Sequence, residues 1–174
     1  MALTRGEFAD LIQEHAAALY CIAYRMVGRC HDAEDVVQET LRSAWACRQR
    51  FEPGRGERAW LATILRRRVI DRWRRVGRRL ELATDGSVEV AIDAADPTAD
   101  DFTDEMQQAL ATLPFAMRES LLLVVVGELT HQETADAQGV TLGTVLSRVS
   151  RARRRLRTEL RAVASIPCRV ISRS

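Results

Sequence analysis

The sequence predicts an all-α protein of two small helical domains joined by an acidic linker, with a helix-turn-helix in the C-terminal domain. Three observations carry this expectation. Val145, Val149, Ala152, Leu156 and Leu160 recur at the spacing of a helix with one buried face. Ahead of them, Thr130-His-Gln-Glu133 has the form of a capping box opening a short helix that ends at Gly139, and Thr141 caps the helix that follows. Residues 81–105 carry nine carboxylates and no basic residue, with Gly86, Pro97 and few large apolar groups, the composition of a linker.

Taken in order, Phe8, Leu11, Ile12, His15, Leu19, Ile22, Ala23 and Met26 trace a first helix that Gly28 stops. Asp32 is expected to cap a second helix, with Ala33, Val36, Val37, Thr40, Leu41, Ala44 and Trp45 inward. Its other face shows Glu34, Asp35, Gln38, Glu39 and Arg42. The helix dipole accounts for acids in the first turn but leaves the rest of that face unexplained. Phe51 to Arg58 holds one proline and two glycines and reads as a loop. A third helix is expected from Ala59 to about Arg75 on Trp60, Leu61, Ile64, Leu65 and Trp73. It is crowded with arginines, among them Arg66, Arg67, Arg68, Arg72, Arg74 and Arg75, whose self-repulsion is relieved when a polyanion is bound.

These features divide the chain into residues 1–79, a linker 80–104 with a short extended piece at Val88–Ile92, a domain 105–164, and a poorly ordered tail 165–174. A linker of about 20 extended residues spans on the order of 60 Å. In the second domain, Met106, Ala109, Leu110 and Leu113 form one helix. Pro114 suits the first turn of the next, which carries Met117, Leu121, Leu122 and Val125 and stops near Gly127. Small Ala135 at a close helix crossing, Gly139 at a turn of positive φ and Val145 toward the core give the helix-turn-helix spacing, with 142–160 as the second helix. Ser147, Ser150, Arg151 and Arg154 lie opposite its apolar stripe, a face suited to phosphates and base edges.

The net charge of +2 hides this segregation, and all 26 basic residues are arginine. Cys21, Cys30, Cys47 and Cys168 have no Cys-x-x-Cys spacing, and Cys30-His31 alone makes a poor zinc site, so neither metal nor cofactor is expected. No signal peptide or apolar run of spanning length is present, which predicts a cytoplasmic protein with reduced thiols and no membrane insertion. No nucleophile-base pair or phosphate-cradling loop points to catalysis. A metal nuclease is disfavoured because the acids concentrate in a linker without a fixed frame.

Three runs, Asp32-Ala-Glu-Asp-Val-Val-Gln-Glu-Thr40, Ala59-Trp-Leu-Ala-Thr-Ile64, and Gly143-Thr-Val-Leu-Ser-Arg148 with Ser150-Arg-Ala-Arg153, occur in the order in which extracytoplasmic-function sigma factors carry theirs. Over roughly residues 8 to 160 the chain resembles that family of bacterial transcription initiation subunits. The resemblance implies a protein that binds core RNA polymerase and directs it to promoters, with an anti-sigma factor as regulator. Asp35, Gln38, Glu39 and Arg42 would dock on the clamp helices of the largest catalytic subunit. Phe51, Arg55 and Arg58 would hold a base flipped from the melted −10 strand, with Arg66, Arg67, Arg74 and Arg75 tracking its backbone. Thr141, Leu146, Ser147, Arg148, Arg151 and Arg154 would meet the −35 major groove.

Arg67 stands where the family usually has asparagine, Leu146 where it usually has lysine or arginine, and His131 where it often has tyrosine. The run Ser147–Arg153 is similar to the subgroup governing the general stress response. A stand-alone helix-turn-helix regulator is the alternative that the residues leave open.

Overall fold

The computed structural model describes residues 3–51, 56–82 and 104–164. They form seven α-helices and one 3₁₀ turn: α1 (Arg5–Val27), α2 (Cys30–Cys47), the turn Arg48–Arg50, α3 (Glu57–Leu82), α4 (Asp104–Ala111), α5 (Phe115–Val125), α6 (His131–Gln138) and α7 (Leu142–Ala164). No strand occurs among the described residues. The expected extended piece at 88–92, Arg55, Cys168 and the tail 165–174 lie outside them.

In the N-terminal half, α1, α2 and α3 pack on one another around Leu11, Leu19, Ile22, Ala33, Val36, Leu61 and Leu65. A capping box of Thr4 with Glu7 opens α1, and Gly28 closes it in the left-handed region at φ 80°. The second helix begins earlier than its first acid suggests. Cys30 is its first residue and Arg29 its N-cap, without a side-chain cap bond, so Asp32 sits inside the first turn. There Asp32 pairs with Arg72 of α3. Helix α3 is longer than expected at both ends, from Glu57 to Leu82, and carries through the expected boundary at 79. Its apolar period fades after Trp73, but arginine is a good helix former and needs no buried face to stay helical.

The C-terminal half packs α4, α5 and α6 around α7, with Val145, Val149, Ala152 and Leu156 buried. Thr130 and Glu133 form the capping box in both directions, and Gly139 closes α6 at φ 65°. Thr141 Oγ1 accepts from the Thr144 amide and so caps α7, which runs to Ala164, four residues beyond the expected end. Pro114 is the N-cap of α5 rather than its first helical residue.

The two halves are in contact. Helix α3 packs on α6, and α1 packs on α4 and α5. The cause lies in α5, where Leu121, Leu122 and Leu123 are all buried. An apolar sequence running round most of a helix needs cover on more than one side, and α7 covers only part of it. Leu123 and Leu129 pack instead with Ala62 of α3. At the α5–α6 corner, Gly127 lets the backbone approach closely, since a Cβ there would stand 2.5 Å from the Leu123 carbonyl oxygen and 3.3 Å from Ile22 Cδ1.

Candidate nucleic-acid interface

The acidic face of α2 and the arginine face of α3 meet directly. Arg72 reaches Asp32 and, at 3.7 Å, Asp35, while Arg75 lies 3.3 Å from Glu39. On the same face Arg42 donates to Gln38 Oε1 at 3.2 Å. Asp35, Gln38, Glu39 and Arg42 therefore form one surface, as their spacing suggests, and two of its acids are partly offset by α3. Trp45 is exposed beside it, with the Arg48 guanidinium 3.9 Å over its ring.

Phe51 is buried, 7% exposed, and meets Trp60 edge-on with ring centroids 5.1 Å apart. A flipped base therefore cannot stack on Phe51 in this arrangement, because the ring completes the core at the foot of α3. Trp60 is half-buried. Arg67 and Arg74 are exposed on α3.

Arg58 and Arg66 face the other half of the chain. Arg58 pairs with Glu128, and the Arg66 Nε is 2.8 Å from Oε1 of Glu119, a carboxylate whose side chain is only 5% exposed. Burial raises the Glu119 carboxyl above its ordinary pKa, and the charges of Arg66 and Arg148 oppose that shift. Further along the seam, Trp73 packs on Phe115 at 5.1 Å and under the Arg118 guanidinium at 5.3 Å, and burial lowers the pKa of Arg118. Buried Arg25 donates to Gln107 Oε1 at 3.0 Å. The sequence reading missed Glu119, Glu128, Phe115 and Arg118. Glu119 did carry a local signal, as an acid separated only by Ser120 from the all-apolar run 121–126.

On α7, Leu146 is 47% exposed, Arg151 and Arg154 are exposed, and Thr141 is exposed at the N-terminus. Ser147 donates to the Thr144 carbonyl. Arg148 is half-buried and donates to Gln138 Oε1 at 3.1 Å, an oxygen that also accepts from Ser120. That bond ties the two helices of the motif and leaves Arg148 less free to extend than Arg151.

Two helix-bounded surfaces, each bearing guanidinium groups, are thus held on opposite halves of the chain. Residues 11–79 match the family model "Sigma-70 region 2", and residues 103–156 match "Sigma-70, region 4". The chain is 35% identical over 147 residues to the ECF RNA polymerase sigma factor EcfG of Rhodopseudomonas palustris, covering 84% of this chain and 81% of that one. The chain belongs to the extracytoplasmic-function sigma factors. To the ECF sigma factor SigE of Mycolicibacterium smegmatis it is 35% identical over 158 residues, 87% of this chain but 60% of that longer relative. Among solved structures, this sigma factor resembles RpoE of Bartonella quintana in complex with the anti-sigma factor NepR, at TM-score 0.77 and 33% identity over 87% of this chain and 97% of that one. It also resembles CnrH in complex with the cytosolic domain of CnrY, at TM-score 0.65 and 32% identity over 91% and 90%. No described helix is long and apolar enough to cross a membrane.

Proposed function

We propose that this sigma factor binds core RNA polymerase through the α2 face of Asp35, Gln38, Glu39 and Arg42 and directs it to a class of promoters. The observation that carries the reading is the presence of both halves in one chain, the region 2 match and the region 4 match in that order. Region 2, residues 1–79, reads a melted −10 strand with Arg55, Arg58, Arg66, Arg67, Arg74 and Arg75. Trp60, half-buried at the start of α3, is the aromatic group nearest in sequence to Arg58 that retains exposed surface. Region 4, residues 105–164, places the first turns of α7 in the −35 major groove. There Thr141, Leu146, Ser147, Arg151 and Arg154 meet DNA while Arg148 sets the angle of the motif. The protein works in the cytoplasm, performs no chemistry itself, and is restrained by an anti-sigma factor. The structural relatives with anti-sigma partners support that last point.

The closed contact between the halves fits this reading. Arg58 and Arg66 cannot take phosphates while Glu128 and Glu119 hold them, so DNA reading follows separation of the halves. The test is a pull-down with core polymerase followed by transcription from a random promoter library. Retention on core enzyme with enrichment of a two-part promoter supports the reading. Tight, sequence-specific binding to duplex DNA without polymerase would support a stand-alone regulator instead.

A further inference from the structure

Where the start of α3 meets α1 and α6, an open cavity of about 360 Å³ is lined by Glu14, His15, Glu57, Arg58, Glu128 and Glu133. Four carboxylates face one guanidinium among the described lining residues, and that guanidinium is already paired with Glu128. His15 sits at the wall of this cavity, 5% exposed. Its Nδ1 has no hydrogen-bond partner, and its Nε2 is directed at Glu57 Oε2 from 3.9 Å, too far for a hydrogen bond. The ring is thus a buried polar group committed to no protein partner at bonding distance. The nitrogen turned toward the carboxylates is Nε2, and a ligand held between it and Glu57 would satisfy that atom while Nδ1 stays inside the fold.

One donor atom each from Glu14, His15 and Glu57 lie within 4.8 Å of one another. Two donors on one divalent ion at about 2.0–2.2 Å stand roughly 3–3.6 Å apart. The Glu57–His15 separation of 3.9 Å is therefore a few tenths of an ångström from ligand spacing. Both glutamates have the exposure needed to adjust, Glu57 being 46% exposed and Glu14 on the surface. Glu133 commits Oε2 to the Thr130 cap, while its Oε1 is the atom nearest Gly56, 3.2 Å from where a Cβ would lie.

We propose that this cavity is a binding site for a first-row divalent cation of the manganese, cobalt or zinc type, with Glu14, His15 and Glu57 as its protein ligands. An imidazole beside carboxylates suits these ions better than magnesium or calcium, which take oxygen alone. The absence of thiolate from the set selects against copper(I). A cation there supplies the charge that the lining lacks and fastens the first residue of α3 to α1. The site stands independently of the transcriptional reading, since binding is measured on the free chain.

The experiment titrates the full-length, reduced protein with Zn²⁺ and Mn²⁺ by calorimetry and with Co²⁺ by optical spectroscopy. His15 is buried, so removing it risks the fold. Glu14→Gln and Glu57→Gln keep side-chain length and are checked for unchanged helical circular dichroism. The site predicts one equivalent of ion, at least about tenfold weaker binding in each variant, the loss that even outer-shell partners cause, and no loss in Glu34→Gln on α2. Co²⁺ should show visible ligand-field bands without a thiolate charge-transfer band. Absence of uptake, undiminished uptake in the Glu14→Gln, Glu57→Gln double variant, or a thiolate band placing the ion on the cysteines would each overturn the proposal.

Discussion

Arg66 and Glu119 meet across the seam of the molecule at 2.8 Å, the one on the arginine-rich helix of region 2 and the other on the first turns of α5 in region 4. Glu119 is the more buried partner, and desolvation holds its pKa above the ordinary 4.5 against the pull of Arg66 and Arg148. A carboxyl whose folded pKa is raised binds its proton more tightly in the folded state. Its contribution to stability is therefore complete below the unfolded value and is lost as pH rises through the folded one. Thermal melts of wild type and Glu119→Gln should differ by a constant amount below pH 4.5. Between that value and the higher folded pKa, the wild type should lose ground as Glu119 ionises in place, and beyond the folded pKa the difference should level off again. A pH-independent difference between the two melts would show that the carboxyl titrates normally.

Because Glu119 and Glu128 occupy Arg66 and Arg58, neutralising both acids should release two guanidinium groups. The double variant Glu119→Gln, Glu128→Gln is expected to bind single-stranded oligonucleotides more tightly than wild type. Its dependence of log affinity on log salt should steepen by roughly 0.7 for each further phosphate that a freed arginine neutralises. Fluorescence anisotropy across a salt series measures both. An unchanged slope would mean that these arginines are not held back by the seam.

Gly127 to alanine should destabilise the folded chain by about 1–3 kcal/mol, the usual cost of forcing atoms into a packed site. The added Cβ meets backbone, the Leu123 carbonyl at 2.5 Å, which cannot swing aside as a side chain would. Chemical denaturation gives the number, and a loss below a few tenths of a kcal/mol would show that the corner relaxes.

Reversing Asp35 and Glu39 to arginine should abolish association with core polymerase while preserving the helical signal, since neither side chain is in the buried core. The reversal also sets like charges against Arg72 and Arg75, which hold Asp35 at 3.7 Å and Glu39 at 3.3 Å. Asp35→Asn with Glu39→Gln is the milder companion and should weaken binding in the same direction. Full core binding by both variants would remove this face from the interface.

Leu146 is 47% exposed near the start of α7 and offers only apolar contact. Leu146→Arg should add a fork able to take guanine O6 and N7, worth roughly 1–3 kcal/mol of discrimination. Selected −35 sequences should then gain a guanine at one position. Identical preferences for wild type and mutant would show that residue 146 does not face the groove.

The parts of this architecture legible in the sequence are those set by neighbours in the chain. Thr130 and Glu133 are three residues apart, and their bonds are formed as expected. Gly139 takes the positive φ that its place in the motif requires. The helix start at Cys30 was not legible, because Asp32 imitates a cap while its carboxylate is drawn to Arg72, forty residues on. Phe51 looked available for stacking, but a lone aromatic residue in a loop gives no sign of the Trp60 ring that covers it. The seam was the hardest to foresee. Region 2 and region 4 each show a complete amphipathic pattern of their own, and the surplus apolar side of α5 becomes informative only once α7 is seen to cover just part of it.

That surplus has a consequence for how the protein behaves alone. Opening the halves uncovers Leu123 and Leu129, which are 2% and 4% exposed when closed, and water exacts a free-energy cost for each. An open molecule with no partner is thus a sticky one, prone to self-association and attractive to chaperones and proteases. Its lifetime in that form should be set by how soon another surface covers α5. Overproduction without a binding partner should accordingly yield aggregate and proteolytic fragments in proportion to the time spent open.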